Sequence, residues 1–404
     1  MIHIPLNIRQ RMVSVLGDLD NISPKATSVF EHSRIEFLVN LSSKLLEFPG
    51  VRNFPEIVTF AFWCRRANLT KIIERSNNHP NKIGVGLAFH ISPSNVPINF
   101  AFSLTFGLLS GNSNVIRLPS KESESAEIII KVISDLLVSS AYQLLSPFVN
   151  LIKYDREDEV NQFWLSVADA RIVWGGDTTV LHMRSFKSKV RSREIAFSDR
   201  YSLSIMNPHA ILESSEVQLS NLCNNLFNDI YLMDQNACSS TQLLAWIGPK
   251  ECVNLAKNKL WTKFNEFVDR KYEVEPINQM DKLVGLFANV IENNNIETVD
   301  LSNSLLFRVG LNSLIKDQPS QRGYFGTVHE VQMSDLSDLA CIVDERFQTI
   351  TYFGFLKEDL LKLIYDHHLS GIDRIVPVGR AIDMDIFWDG YDILNHLTRV
   401  IDIH

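Results

Sequence analysis

The chain is poor in the features that usually announce a site. It has five cysteines in 404 residues, Cys64, Cys223, Cys238, Cys252 and Cys341, an odd number with no CxxC spacing. That argues against a disulfide framework or a cysteine-built zinc site and predicts reduced thiols in a cytoplasmic setting. Positive charge is not in excess: 39 Lys and Arg stand against 47 Asp and Glu, for a net charge of −8. No run of five like charges occurs, so nothing favours a nucleic acid or an anionic membrane surface as partner. The longest apolar stretch, "FAFSLTFGLLSG" at 100–111, is too short to cross a bilayer and suits a buried helix. The opening "MIHIPLNIRQRM" has no basic region followed by an apolar core, so no signal peptide is expected. There is no GxGxxG after a strand and no GxxxxGK[ST], which removes a P-loop NTPase from consideration. Internal repeats and low-complexity segments are also missing.

What is present is alternation. Residues 1–80 read as helical. From 82 onward the pattern becomes strand, helix, strand: "KIGVGLAFHI", "INFAFSLTFGLLSG" ending at Gly111 as a C-cap, "NVIRLP", then an amphipathic helix with Ala126, Ile129, Ile130, Ile133 and Leu137 on one stripe. "FVNLIKY", "DREDEVNQFWLSVA" and "ARIVWGG" continue it. Repeated β-α-β implies a parallel sheet with helices on its faces. After about 204 the pattern resumes with "LSIMNP", a helix near 216–233 and the strand "QLLAWIG". The length suits two or three domains. The expected division is 1–204, a helical region plus a first α/β domain; 205–375, a second α/β domain; and 376–404, a tail packed back on the body.

A parallel sheet binds nucleotides outside the carboxyl ends of its strands. "WGGDTTV", 174–180, ends a strand and opens a helix. Gly175 and Gly176 remove side chains where a backbone must approach a ligand, and the amides from Asp177 onward favour an anion there. A plain strand-to-helix turn would read the same way.

Four stretches, in order, resemble the aldehyde dehydrogenases: "HISPSNVP", "NVIRLPSKES", "WGGDTTV" and "NACSS". Their spellings, with "FPEIVTFAFWCRRANL", "RGYFGTVHEV" and "RIVPVGRAIDMDIFWDGYD", resemble the acyl-CoA reductase branch that includes the LuxC-type fatty-acyl reductases. The resemblance runs from about 54 to 400. It implies an α/β, aldehyde-dehydrogenase-like fold with two parallel-sheet domains, a helical N-terminal region and a small oligomerisation element, hence a homo-oligomer. It implies Cys238 as nucleophile, Asn95 as an oxyanion donor beside the Cys238 backbone amide, and Gly175, Gly176 and Asp177 under a cofactor pyrophosphate. A thiolate can attack an activated acyl group to form a thioester, and preorganised donors then hold the oxyanion.

The departures from the family pattern are informative. Hydrolytic members carry a glutamate that activates water; here Ala196 falls about there, and Glu194 lies two residues away on the same strand face. A thioester on Cys238 is then better reduced, or passed to another thiol, than hydrolysed. The glutamate that holds the ribose of NAD in selective members is replaced by Ser120 or Lys121. With Arg117 or Lys121 able to pair with a 2′-phosphate, NADPH is the expected cofactor. The acidic residue before the Phe-Gly pair of "RGYFGTV" is Gly323.

His90 precedes the asparagine loop and is a candidate to tune Asn95, against a structural reading. His329 in "GTVHEV" is a candidate acid for the thiohemiacetal step, and Glu194 a displaced candidate base. His367 and His368 have no third ligand and predict no metal. Cys64, Cys223 and Cys252 read as core, and Cys341 as buried strand. "FWDGYD" reads as an Asx-type turn with Trp388 as anchor. The leading expectation is an NADPH-dependent reductase turning an acyl thioester (acyl-CoA, acyl-carrier protein or acyl-enzyme) into an aldehyde, with an acyl-activating protein as a partner the resemblance suggests. The alternatives are an oxidative aldehyde dehydrogenase and an inactive scaffold for an acyl-transfer partner.

Overall fold

The computed structural model describes residues 1–76 and 81–404; residues 77–80, the end of the stretch read as helical, lie outside the described residues. The chain forms two compact units, Met1–Ser198 with Ile386–His404, and Asp199–Asp385. The boundary therefore falls before the strand at 201, not at 204 inside it. The tail divides, its last nineteen residues returning to the first unit.

In the first unit the strands are β1 (Val13–Leu16), β2 (Lys82–Gly84), β3 (Leu87–Ile91), β4 (Ser113–Arg117), β5 (Val149–Lys153), β6 (Ala170–Trp174) and β7 (Arg193–Phe197). The main sheet runs β1-β5-β4-β3-β6-β7, parallel except for β1. Strand order reverses between β3 and β6, which creates a switch point there. β1 was not expected; four residues are too few for a readable alternation. "KIGVGLAFHI", expected as one strand, breaks at Gly86. Its φ of +136° favours glycine, and a Cβ there would overlap the Asp169 carboxylate, which accepts from the Leu87 amide. The helix Asn99–Leu109 is buried on every side, as its unbroken apolar run demands. In the helix Glu124–Val138 the buried stripe is Ile128, Ile129, Val132, Ile133 and Leu137. It is rotated from the expected one, with Ala126 and Ile130 at its margin.

In the second unit β8 (Tyr201–Met206), β9 (Thr241–Ile247), β10 (Ile296–Asn303), β11 (Leu306–Leu311), β12 (Thr327–Met333), β13 (Phe347–Phe353) and β14 (Arg374–Pro377) form a sheet ordered β10-β11-β12-β9-β8-β13-β14. Only β10 is antiparallel. Successive residues of β9 feed separate cores: Leu244 and Trp246 join the one under the helices Glu216–Tyr231 and Lys250–Lys271, and Leu243 and Ala245 the other. A strand buried on both faces needs such a continuous apolar run.

The tail carries β15 (Phe387–Trp388), β16 (Tyr391–Asp392) and β17 (Thr398–Val400), the last paired with β2. Asp389 and Gly390 both have positive φ, 51° and 75°, so "DG" closes a tight hairpin with Trp388 buried.

Candidate active site

In the first unit a cavity of about 790 Å³ opens at the carboxyl ends of β3, β4, β5 and β6. Five of the six expected residues of the cofactor set line it, Arg117, Ser120, Lys121, Gly175 and Gly176, and Asn95 is also on its wall. Asp177 is not on the wall; two residues on, Thr179 is. Gly176 is the N-cap of the helix Asp177–Ser185 and has no side chain to engage the first-turn amides. Those amides and the helix dipole suit an anionic group. The Arg117 guanidinium lies 4.8 Å from the Tyr154 ring centroid, and its Nε is buried without a hydrogen-bond partner. Trp174 stacks on Phe197 with centroids 3.6 Å apart and donates from Nε1 to Ser103 Oγ at 3.0 Å, which sets the floor beside Gly175.

The sequence reading missed Asp155 and Arg156, which follow β5 and also line the cavity. Ser120 Oγ donates to Asp155 Oδ1 at 3.4 Å. Only the pairing of β5 with β4, parallel in the sheet, brings these residues to the same side.

In the second unit Cys238 sits on the loop before β9, half-buried. The approach is unusual. Met233, Asp234 and Gln235 have φ of 59°, 52° and 63°, three consecutive non-glycine residues in the left-handed region. Such residues cost about 1–3 kcal/mol each and persist where the surroundings over-determine them. Gln235 provides that. Fully buried, it donates from Nε2 to the carbonyls of Thr241 (2.8 Å) and Thr327 (2.9 Å), and its Oε1 accepts from the amides of Gly326 (3.0 Å) and Thr327 (3.1 Å). Gln242 adds two bonds, from its Nε2 to the Gln235 carbonyl at 3.2 Å and from the Gly323 amide to its Oε1 at 2.8 Å. The Cys238 loop is thus tied to the "RGYFGT" loop. A Cβ on Gly323 would overlap the Thr327 carbonyl, which accounts for the lack of an acidic side chain there.

From the other side, Ser202 Oγ at the start of β8 donates to the Cys238 carbonyl at 2.8 Å and accepts from the Thr349 amide at 3.2 Å. Gln348, on β13, donates from Nε2 to Cys238 Sγ at 3.1 Å. None of Gln235, Gln242, Ser202 and Gln348 was singled out from the sequence. A buried glutamine carries no local pattern.

The remaining thiols differ from Cys238. Burial pushes the Cys64 thiol far up, and the Cys223 thiol up to about 11. Cys252 is half-buried on the helix Lys250–Lys271. Cys341 ends a 3₁₀ turn and is exposed, not in a buried strand as expected.

The candidate acid–base groups are buried or held in ion pairs. His90 is fully buried on β3 and both ring nitrogens are engaged, Nδ1 with Ser103 Oγ at 2.7 Å and Nε2 with Asn114 Oδ1 at 3.1 Å. Burial drives its pKa down to about 3. His329 is fully buried on β12, where burial lowers its pKa to about 4. Glu194, on β7, pairs with Arg171 (2.5 Å) and Arg184 (2.7 Å). We propose structural parts for all three. Among the described residues no cluster of His, Cys, Asp or Glu is suited to a metal ion, and no helix is long and apolar enough to cross a membrane.

Both units, each built on a parallel sheet, belong to a known architecture. An aldehyde dehydrogenase of Physcomitrella patens solved with succinate superposes with a TM-score of 0.63 over 92% of this chain and 85% of that one, at 13% identity. An NAD-dependent aldehyde dehydrogenase of Sinorhizobium meliloti gives a TM-score of 0.64 over 92% and 81%, at 12% identity. The fold is that of the aldehyde dehydrogenases. Within it, the model of the acyl-CoA reductase (LuxC) family matches residues 52–400, and the chain belongs to that family. Similar curated proteins are the long-chain acyl-protein thioester reductases of Aliivibrio fischeri, 24% identical over 302 residues, and Photobacterium phosphoreum, 22% identical over 313. The alignments take in 73% and 74% of this chain but 58% and 60% of those relatives, so the chain matches rather more than half of their length.

Proposed function

We propose that the chain reduces an acyl thioester to an aldehyde with NADPH, through a covalent acyl-Cys238 intermediate. The observation that supports this best is the clamped loop. Cys238 is half-buried, held through its carbonyl by Ser202 and through its sulfur by Gln348, while the other thiols are buried, on a helix, or on an outer turn. The names of the similar proteins, acyl-protein thioester reductases, agree with the class of substrate.

The Cys238 thiolate attacks the acyl carbonyl, a C–S bond forms, and the donor's thiolate leaves. When bound, the nicotinamide supplies a hydride to the carbonyl carbon. The resulting thiohemiacetal oxyanion collapses, the C–S bond breaks, and aldehyde and free thiolate result. The proposed oxyanion donors are the Cys238 backbone amide and, by the resemblance, the side chain of Asn95. Ala196, buried where hydrolytic relatives carry the water-activating glutamate, leaves the acyl-enzyme without that base. For the dinucleotide, the cavity of the first unit offers Gly175, Gly176 and the following helix N-terminus to a pyrophosphate. It offers the buried orphan Nε of Arg117, with Lys121 and Arg156, to a 2′-phosphate.

The test is the intact mass of the protein after mixing with acyl-CoAs of graded length, and with acyl-carrier protein, before any nicotinamide is added. A gain of one acyl group, absent in Cys238→Ala and discharged by NADPH faster than by NADH, is the expected result. No adduct from any donor would favour the scaffold reading. Acid released from aldehyde with NADP⁺ in the absence of a thiol acceptor would favour the oxidative one.

A further inference from the structure

We infer that Gln348 is a charge-neutral hydrogen-bond donor to the reacting sulfur, holding Cys238 in its thiolate form and easing release of that thiolate when the product leaves. The inference rests on Cys238 being the nucleophile of the proposed reductase. It concerns a residue 110 positions away in the chain, on another strand.

The geometry fixes the direction of the bond. Gln348 is 1% exposed, so its side chain does not exchange partners with bulk water. Thr349 Oγ1 donates to its Oε1 at 3.3 Å, which turns the amide so that Nε2 faces Sγ at 3.1 Å. A thiolate can only accept. A thiol accepts weakly, because sulfur carries little charge until its proton leaves. A donor that bonds the charged form more strongly lowers the pKa of the group. Thiols are commonly acidified by a helix N-terminus or a neighbouring cation. At Cys238, on a loop seven residues beyond the helix Glu216–Tyr231, the Gln348 amide is a donor to the sulfur itself. An amide supplies donation with no charge of its own, so the effect is the same from pH 5 to pH 10.

The donor acts at two moments. Before attack it raises the fraction of thiolate at neutral pH. The accompanying loss of intrinsic nucleophilicity is smaller, because that falls with a slope of only about 0.4–0.5 against pKa. At collapse of the thiohemiacetal the sulfur regains the electron pair of the C–S bond, and a stabilised thiolate is the better leaving group. In the acyl-enzyme between these moments the thioester sulfur is a poor acceptor, so the bond contributes little to the resting intermediate.

The experiment is iodoacetamide alkylation of the full chain across pH 5.5–10, read cysteine by cysteine through peptide mass, with exposed Cys341 as the internal reference. In the unsubstituted protein the pH midpoint for Cys238 is expected below that for Cys341; a midpoint at or above it overturns the inference. In Gln348→Leu the Cys238 midpoint should move up by about 1, the scale of one bond to a charged group, and Cys341 should not move. Because Gln348 is buried, Gln348→Glu serves where the leucine variant does not fold. Its carboxylate faces the sulfur with the wrong charge, and the midpoint should rise at least as far. A folded variant with an unchanged Cys238 profile overturns the inference. Alkylation needs no substrate, so the two ideas fail separately. A lack of acyl transfer with the midpoint shift intact would sink the reductase reading alone. Retained acyl transfer with no shift would sink the role of Gln348 alone.

Discussion

The two sheets carry their candidate chemistry at opposite ends of their strands. In the first unit, Asn95, Arg117, Ser120, Lys121, Gly175 and Gly176 follow the carboxyl ends of β3, β4 and β6. In the second, Ser202, Cys238, Thr327 and Gln348 cluster at the amino ends of β8, β9, β12 and β13. At carboxyl ends each connection leads into a helix N-terminus, so backbone amides and a positive dipole end are available for a phosphate-bearing ligand. At amino ends the arriving helices present their C-termini, whose carbonyls repel an anion. A thiolate placed there must find its donors among side chains. That is the difference between an open cavity with glycines and exposed cations, and a strained loop nailed down by buried glutamines.

Substitutions at the two sites should therefore fail differently. The largest effect belongs to Cys238→Ala, for which the acyl adduct should vanish and aldehyde formation fall by about 10⁴-fold or more; intact mass and aldehyde trapping read both. Asn95→Ala should lower the single-turnover rate by about 10²–10³ while the thermal midpoint stays put. Gln235→Ala should do the reverse of a cofactor-site change. It strands buried amides and carbonyls around a left-handed loop, and should cost about 3 kcal/mol in urea unfolding. Unchanged stability there would break the contrast drawn between the units. Lys121→Ala should raise the KM for NADPH roughly tenfold and leave that for NADH and the urea midpoint alone, since an exposed cation contributes little to folding.

The smallest effect concerns pH. His90 has a folded pKa of about 3, lowered by burial, against an ordinary value near 6.5. The unfolded chain binds the proton first, so the stability linked to this group is fully present above about 6.5. It is lost progressively as pH falls toward 3. Unfolding of wild type between pH 7 and 5 should show that slope, and His90→Gln should flatten it. His329, at about 4, acts with the same sign in the second unit. Asp229 opposes it there. Burial raises that carboxyl to about 7, so its contribution is full at low pH and fades as pH rises through 7.

Much of the first site was legible because it is local. "WGGDTTV" and "NVIRLPS" are each a strand, a turn and a helix start in one short stretch, and apolar runs with glycine punctuation report such units directly. Asp155 and Arg156 escaped because their relevance depends on β5 lying beside β4, a pairing that periodicity does not reveal. Cys238 was legible only through the order of motifs around it. Its supports were not: Ser202 lies 36 residues away and Gln348 110. The same blindness explains Cys341, whose apolar neighbours suggest a strand that the capped 3₁₀ turn from Asp335 replaces.

Composition and pattern were enough for the run of parallel strands and for the expectation that no helix spans a membrane; the aldehyde-dehydrogenase class of fold and the choice of Cys238 as candidate came through the resemblance. The first two are properties of neighbours in the chain, where burial period and backbone preference act. The phase of the helix stripe, the break at Gly86, the return of the tail to the first unit and the glutamine framework around Cys238 were decided by the tertiary structure. Each depends on which distant group comes to stand opposite, and on the cost of leaving a buried donor or acceptor without a partner once water is gone.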